Sequence, residues 1–308
     1  MKTVKRCLLV ILAVLAASCG GRKEAVVPGH LSAGAEQTAR GTPYYERGCY
    51  ARALEHFTRA QELYTAVGDR QGMAMSANNI GVVYRAIGEA GAAIPFFEDA
   101  LRLYGDPGEP DRVRQALSNL AAAQADTGDL ASAGKNIDAA LKIENGGTPF
   151  VPALTVKGIL LARLGDVKGA ETVLKEALDA VGRGHPEGGA AANYAMGELL
   201  LGQSRFQEAA PYFDRALERD RKAGFYGGIA DDLAALGRCR AGVRDDAAAV
   251  RSWEQSVRIY ALLGMGEKVR STMALLEEAA KRSDLDIGLT RALAERWLRG
   301  ELTDSLCE

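Results

Sequence analysis

The amino-acid sequence predicts an all-α fold: a solenoid of about six stacked helical hairpins, finished by capping helices at its C-terminal end. Three observations carry that expectation. One pattern of small and large apolar residues recurs six times along the 308 residues, aromatics make up only 6% of them, and glycine numbers 35. With so few bulky rings, close helix contacts must supply the packing, and β-branched alternation is sparse throughout. At 47% hydrophobic the chain can still bury a sizeable core.

The repeat fixes the elements in order. Its first small residue stands at Gly41, Gly81, Ala121, Gly158, Gly197 and Gly237, at intervals of 37 to 40 residues. Twelve positions on come Ala53, Ala93, Ala133, Ala170, Ala209 and Ala249. Four further stand the large apolar Phe57, Phe97, Ile137, Leu174, Phe213 and Trp253, and three beyond those Ala60, Ala100, Ala140, Ala177, Ala216 and Ser256. Antiparallel helices approach to roughly 8–10 Å only where the crossing residues are small, so Gly81 and Ala93 are expected at the crossing. Phe97 and Ala100, on one face at helical spacing, are expected to give the next hairpin a knob and a seat. Each hairpin then leaves a face that only its neighbour covers, which forces the copies to stack.

The connections are marked as well. Gly48, Gly88, Gly128 and Gly165 fall where the first helix of a hairpin would end in a left-handed residue. An acid follows three of them, at Glu89, Asp129 and Asp166, close to the next helix N-terminus. Between copies, "GDPGEP" (Gly105 to Pro110), "NGGTP" (Asn145 to Pro149) and "GRGHPEGG" (Gly182 to Gly189) read as lengthened loops.

This pattern resembles the tetratricopeptide repeat over residues 34–263, with copies starting near 34, 74, 114, 151, 190 and 230. Tyr44 and Tyr84 match the family's aromatic position in the first helix. Gln124, Leu161, Leu200 and Arg240 depart from it, and Ser204 and Arg244 replace the turn glycine. The intervals exceed the common 34 residues and look like the longer variety in kinesin light chains and bacterial peptide-sensing repeat proteins. The resemblance implies a right-handed superhelix whose concave groove is lined by the first helices. It also implies which positions face that groove: Asn78, Asn79 and Arg85 in copy two, Ser118 and Asn119 in copy three, Ile159 in copy four, Tyr194 and Glu198 in copy five, and Arg238 in copy six. Asn79 and Asn119 share one repeat position, where an amide can donate to and accept from an extended peptide backbone at once. Arg85 and Arg238 can orient an anionic group. The partner expected there is a protein or peptide.

Beyond the sixth copy, residues 264–308 read as a cap. Gly266 to Lys281 reads as one more first-type helix with Ala274 at the small position. "DIGLTRALAERWLRG" (Asp286 to Gly300) places Leu289, Leu293 and Trp297 on one apolar stripe.

The other end reads as an export signal. Lys2, Lys5 and Arg6 precede ten apolar residues from Leu8 to Ala17, too few to cross a bilayer, which takes about 20. "LAASCGG" (Leu15 to Gly21) resembles the lipobox of bacterial lipoproteins, which implies a signal peptide over residues 1–18, lipid attachment at Cys19 and a tether over residues 19–33. Several acyl chains on one cysteine anchor durably. Gly20, rather than an aspartate, follows the cysteine, so the resemblance favours the outer membrane, facing the periplasm. Losing the three basic residues takes the formal charge from −2 to −5.

The same reading excludes several functions. A net charge of −2 and a pI near 6.1 offer no cationic surface for nucleic acid. Cys49, Cys239 and Cys307 are widely spaced with no C-x-x-C, so neither a disulfide framework nor a metal site is expected. His30, His56 and His185 share no helix face, and no nucleophile elbow or phosphate loop occurs. The sequence therefore predicts a non-enzymatic, cofactor-free scaffold. A periplasmic ligand-capture component of an uptake system and a purely structural envelope spacer stand as its alternatives.

Overall fold

The structure is a computed structural model that describes residues 29–105, 109–143, 149–184, 188–301 and 307. Its helices pair in chain order. The first hairpin is α1 (Gly29–Glu46) with α2 (Tyr50–Val67), and the second α3 (Arg70–Ala86) with α4 (Ala90–Tyr104). The third is α5 (Pro110–Asp126) with α6 (Leu130–Lys142), and the fourth α7 (Val151–Arg163) with α8 (Val167–Gly182). The fifth is α9 (Gly189–Gly202) with α10 (Phe206–Ala223), and the sixth α11 (Tyr226–Gly242) with α12 (Asp246–Leu262). Helices α13 (Gly266–Ser283) and α14 (Gly288–Leu298) follow, and no strand occurs among the described residues. Six hairpins stack into a right-handed superhelical solenoid. The signal segment and Cys19 lie outside the described residues, and α1 already begins at Gly29, within the stretch expected as tether.

The packing of the hairpins adds a contact within each hairpin to the expected one between neighbours. A Cβ on Gly41 would stand 2.6 Å from the Phe57 ring, on Gly81 2.7 Å from Phe97, and on Gly158 2.5 Å from Leu174. On Gly197 it would stand 2.7 Å from Phe213, and on Gly237 2.4 Å from Trp253. In each case the large residue seats on the glycine of its own hairpin, and it also packs on the next one, as Phe97 does with Leu120 and Ala123 and Phe57 with Ile80 and Val83. The third copy makes the same joint with other sizes, since Ala121 carries a methyl group and its partner shrinks to Ile137. The alanines flanking the knob, such as Ala93 and Ala100, are wholly buried. Burying a Phe or Leu side chain contributes about 1.5–3 kcal/mol, so these joints are the main apolar term of each hairpin.

The turns follow their predicted chemistry with one variation. Gly48, Gly88, Gly128 and Gly165 all adopt positive φ, between 79° and 91°. Ser204 and Arg244 occupy the equivalent turns at φ 59° and 64° without being glycine. Asp129 and Asp166 cap the following helices by accepting from the backbone N–H of Ser132 and Gly169. Glu89, one methylene longer, makes no such bond.

At the C-terminal end two expectations fail. Helix α13 buries Val269, Thr272, Leu276, Ala279 and Ala280, whereas Ala274 is exposed. Its register is therefore not that of a seventh first helix. Helix α14 turns Thr290 and Ala294 inward and leaves Leu289 70% exposed, so the Leu289 stripe is not the covering face.

The superhelix turns far enough to bring its first hairpin against its sixth. Tyr45 stacks on Phe225 with ring centroids 6.1 Å apart. A Cβ on Gly227 would lie 3.1 Å from the Tyr50 hydroxyl, and one on Gly48 3.1 Å from Leu263. Beside these contacts Cys49 and Cys307 form a disulfide, with Cα atoms 5.2 Å apart across a sequence separation of 258. This overturns the expectation of no disulfide; only Cys239 remains free and buried among the described residues. On chain-entropy grounds a loop of that length contributes roughly 5 kcal/mol.

Replacing Ser204 or Arg244 by glycine removes the cost of a left-handed residue with a Cβ, about 1–2 kcal/mol before glycine's larger unfolded-state entropy is subtracted. Urea unfolding should show each variant more stable by about 0.5–1 kcal/mol, and the pair additive, since the two turns are independent.

Candidate functional site

The first helices α3, α5, α7, α9 and α11 pack beside one another along the stack, and their polar side chains are linked from hairpin to hairpin. Gln115 donates to Asn119 Oδ1 at 3.0 Å, and Asn119 donates to Asn78 Oδ1 at 2.9 Å. Asn119 thus meets Asn78 of the preceding hairpin, while Asn79, at the same repeat position as Asn119, is half-buried one position further round the helix. The Asn78 nitrogen is a donor left over by this ladder.

Charged residues extend the linkage. Arg85 Nε lies 2.7 Å from Asp126 Oδ2, and an Arg163 nitrogen 2.6 Å from Asp126 Oδ1. Two guanidinium groups from different hairpins therefore share one carboxylate. Glu198 and Arg238 form an ion pair between hairpins five and six, one of its bonds at 3.3 Å. Tyr194 sits edge-on to Phe213 with centroids 5.4 Å apart. Burial first, then the charges of Glu198 and Asp231, push its phenol above the ordinary tyrosine range. Ile159 is half-buried against the fourth and fifth hairpins. Ser118 does not reach the groove: it is buried and donates 2.7 Å to the carbonyl of Arg114, the usual bond of a serine to the preceding turn.

Where the first hairpin meets the sixth, further polar residues gather that the repeat pattern does not single out. Asp231 accepts from Lys268 Nζ at 2.6 Å and from the Tyr260 hydroxyl. The Lys268 ammonium also lies 5.2 Å from the Tyr260 ring centroid. Tyr50 faces the same carboxylate, and its phenol is pushed up by burial first, then by Tyr45 and Asp231. Next to this cluster is a cavity of about 1010 Å³ lined by residues 48–52, 85–88 and 261–268 with Trp297 and Cys307. No group of three or more His, Cys, Asp or Glu able to hold a metal occurs among the described residues.

Comparisons with known proteins agree with this architecture. Tetratricopeptide repeat family models match residues 37–106 and 155–224. Among solved structures, the Rap conjugation gene regulator of the plasmid pLS20 in complex with the Phr* peptide aligns with a TM-score of 0.58 at 14% identity, covering 91% of this chain and 80% of that one. A Rap protein complexed with Competence and Sporulation Factor gives a TM-score of 0.55 at 17% identity over 80% and 74% of the two chains. A thermophilic protein of the same repeat class from Thermus thermophilus gives 0.50 at 19% identity over 69% and 100%. No curated protein matches in sequence. The chain is a tetratricopeptide-repeat protein. Such repeats indicate a protein–protein interaction scaffold, and the fold is typical of proteins without enzymatic activity.

Beneath the seam, two carboxyl groups are buried together. Asp232 is 1% exposed and its Oδ2 has no hydrogen-bond partner, while Asp220 lies close by on α10. Burial, with the charges of Asp220, Asp231 and Asp214, raises Asp232 from 3.8 to about 9. Burial and Asp231 raise Asp220 from 3.8 to about 6. Both groups hold their protons in the folded state at pH values where the unfolded chain has lost them, so stability falls as pH rises. The decline runs from the ordinary aspartate value of 3.8 through about 6 for Asp220 and about 9 for Asp232. Asp232→Asn should raise stability at neutral pH by about 1–3 kcal/mol and flatten the upper part of this decline in unfolding measured across pH.

Proposed function

We propose that the protein is a lipid-anchored scaffold of the bacterial cell envelope that holds an extended segment of a partner protein in its concave groove. The observation that carries this reading is the amide ladder Gln115–Asn119–Asn78, linked to the next hairpin's face and flanked by the arginine pair on Asp126. An extended chain offers alternating N–H and C=O groups at a rise of about 3.3 Å per residue, which suits a row of amides able both to donate and to accept. The two Rap proteins of similar fold were solved with a Phr* peptide and with Competence and Sporulation Factor; that likeness is one of fold. The Cys49–Cys307 disulfide supports an oxidising compartment. The apolar N-terminal segment and Cys19 within "LAASCGG" support export and lipid attachment on the periplasmic side of the outer membrane.

The test is a crosslinking pull-down from solubilised membranes of the native host, with the wild-type chain and Asn78→Ala/Asn119→Ala. The wild type should bring down a protein partner from the membrane fraction, and the double variant at least about tenfold less of it, the loss expected when a hydrogen bond worth about 1.4 kcal/mol is removed. Equal recovery by both chains would place binding away from the ladder, and no partner above background would remove the scaffold reading.

A further inference from the structure

The first hairpin meets the sixth through small contacts, Tyr45 on Phe225, Tyr50 beside Gly227 and Gly48 beside Leu263. The Cys49–Cys307 disulfide adds a covalent tie from the first hairpin to the segment that follows α14, a helix that itself packs on α12. Both cysteines line the seam cavity, together with Ile87, Leu263 and Trp297. At about 1010 Å³ the cavity has room beside the bond for a thiol the size of a short peptide.

The two sulfur atoms differ in their surroundings. Cys49 is 3% exposed and is the N-cap residue of α2. Its carbonyl accepts the first bond of that helix, from the Ala53 N–H at 3.0 Å, and from an N-cap position a side chain reaches the N–H groups of the first turn. Those groups and the helix dipole stabilise a thiolate. Cys307 lies in a turn beyond α14 and is half-buried. In thiol–disulfide exchange the accessible sulfur is attacked and the better-stabilised thiolate departs, so attack falls on Cys307 and Cys49 leaves. Neither role is open to Cys239, which is buried and whose thiol burial pushes up to about 11. The attacking thiolate therefore comes from another molecule.

We propose that Cys49–Cys307 is an exchange-active disulfide that latches the two ends of the solenoid, with Cys307 the site that takes up a cysteine of a protein dithiol. The incoming thiolate bonds to Cys307 Sγ as the Cys49–Cys307 bond breaks, and the electron pair departs on Cys49 Sγ at the N-terminus of α2. The second thiolate of the dithiol then attacks its own sulfur in the mixed disulfide, and Cys307 leaves as a thiolate. The dithiol is oxidised by two electrons to a disulfide, the two cysteines are reduced, and the two protons that the dithiol gave up end on them. The first hairpin then keeps its small contacts to the sixth without the covalent tie, and the seam loosens. The reverse sequence, with the partner's disulfide as oxidant, closes it again. This step does not depend on what the groove binds.

The probe is reduced glutathione, added to the whole, oxidised protein in native buffer, with free thiols trapped by iodoacetamide and the products mapped by peptide mass spectrometry. Glutathione on Cys307 with an alkylated Cys49 should exceed the converse product at least about tenfold, and Cys239 should stay unmodified. Ala51→Asp puts a negative charge at an exposed position in the first turn of α2, which suits the helix but opposes a thiolate at Cys49. It should slow the exchange at least about threefold. Glutathione mainly on Cys49, no exchange until urea unfolds the chain, or an unchanged rate in Ala51→Asp would each overturn the assignment. The latch is read by amide hydrogen exchange before and after reduction with dithiothreitol. Residues 45–50 and 225–228 should exchange at least about tenfold faster once reduced, with residues 116–125 of α5 unchanged. Equal protection of the seam in both states would overturn the latch, and loss of protection throughout the chain would make the bond a structural staple and overturn it as well.

Discussion

A large side chain resting on a residue without one is the contact from which the rest of this solenoid is built. Where Phe97 covers Gly81, no Cβ can be admitted without displacing the ring. The two helix axes of each hairpin are thereby held at a fixed short distance, and hairpins of equal thickness can stack with a constant rotation. Curvature, the concave groove and the meeting of the two ends all follow from that constancy. The sixth copy shows how the joint is kept when the sequence drifts. Trp253 replaces the smaller knobs and satisfies its indole by donating 3.0 Å to the Ala234 carbonyl. Ser256 stands for alanine and donates 2.8 Å to the Ala230 carbonyl.

What the sequence made legible is what every copy must solve in the same way. The glycine and the knob recur because each hairpin needs them, and the turn glycines recur because each turn needs positive φ. Even Ser204 and Arg244, which break the residue rule, obey the conformational one. The spacing between Gly81 and Phe97 does not say that the ring also closes its own hairpin: Phe97 covers Gly81 and packs with Leu120 and Ala123 of the next one. The side-chain contacts of the first helices are not legible: Asn119 meets Asn78 of the preceding hairpin, and Ser118 turns inward to its own helix. The pairing of Cys49 with Cys307 and the Tyr45–Phe225 stack carry no signal in the sequence, because they depend on small rotations summed over six hairpins.

The charged residues play a part that stability alone does not explain. Pairs as exposed as Arg85–Asp126 and Glu198–Arg238 contribute at most about 1 kcal/mol each. Their effect is geometric, since each ties the first helix of one hairpin to that of another. Asp232 is the opposite case, a carboxyl that burial keeps neutral close under the seam. The polar residues of the seam, Asp231, Tyr260 and Lys268, therefore sit on a base that is sensitive to proton concentration while the apolar joints are not.

The central claim, that glycine is required because its own hairpin's ring occupies the space, is tested most directly by a double-mutant cycle on Gly81→Ala and Phe97→Ile. An alanine inside a free helix would be worth up to about 1 kcal/mol in favour of folding. If the account holds, Gly81→Ala alone destabilises by about 1–3 kcal/mol. The double variant, which reproduces the Ala121 and Ile137 joint of the third copy, then recovers at least about 1 kcal/mol relative to the sum of the single changes. A stabilising Gly81→Ala, or strictly additive effects in chemical denaturation, would contradict it.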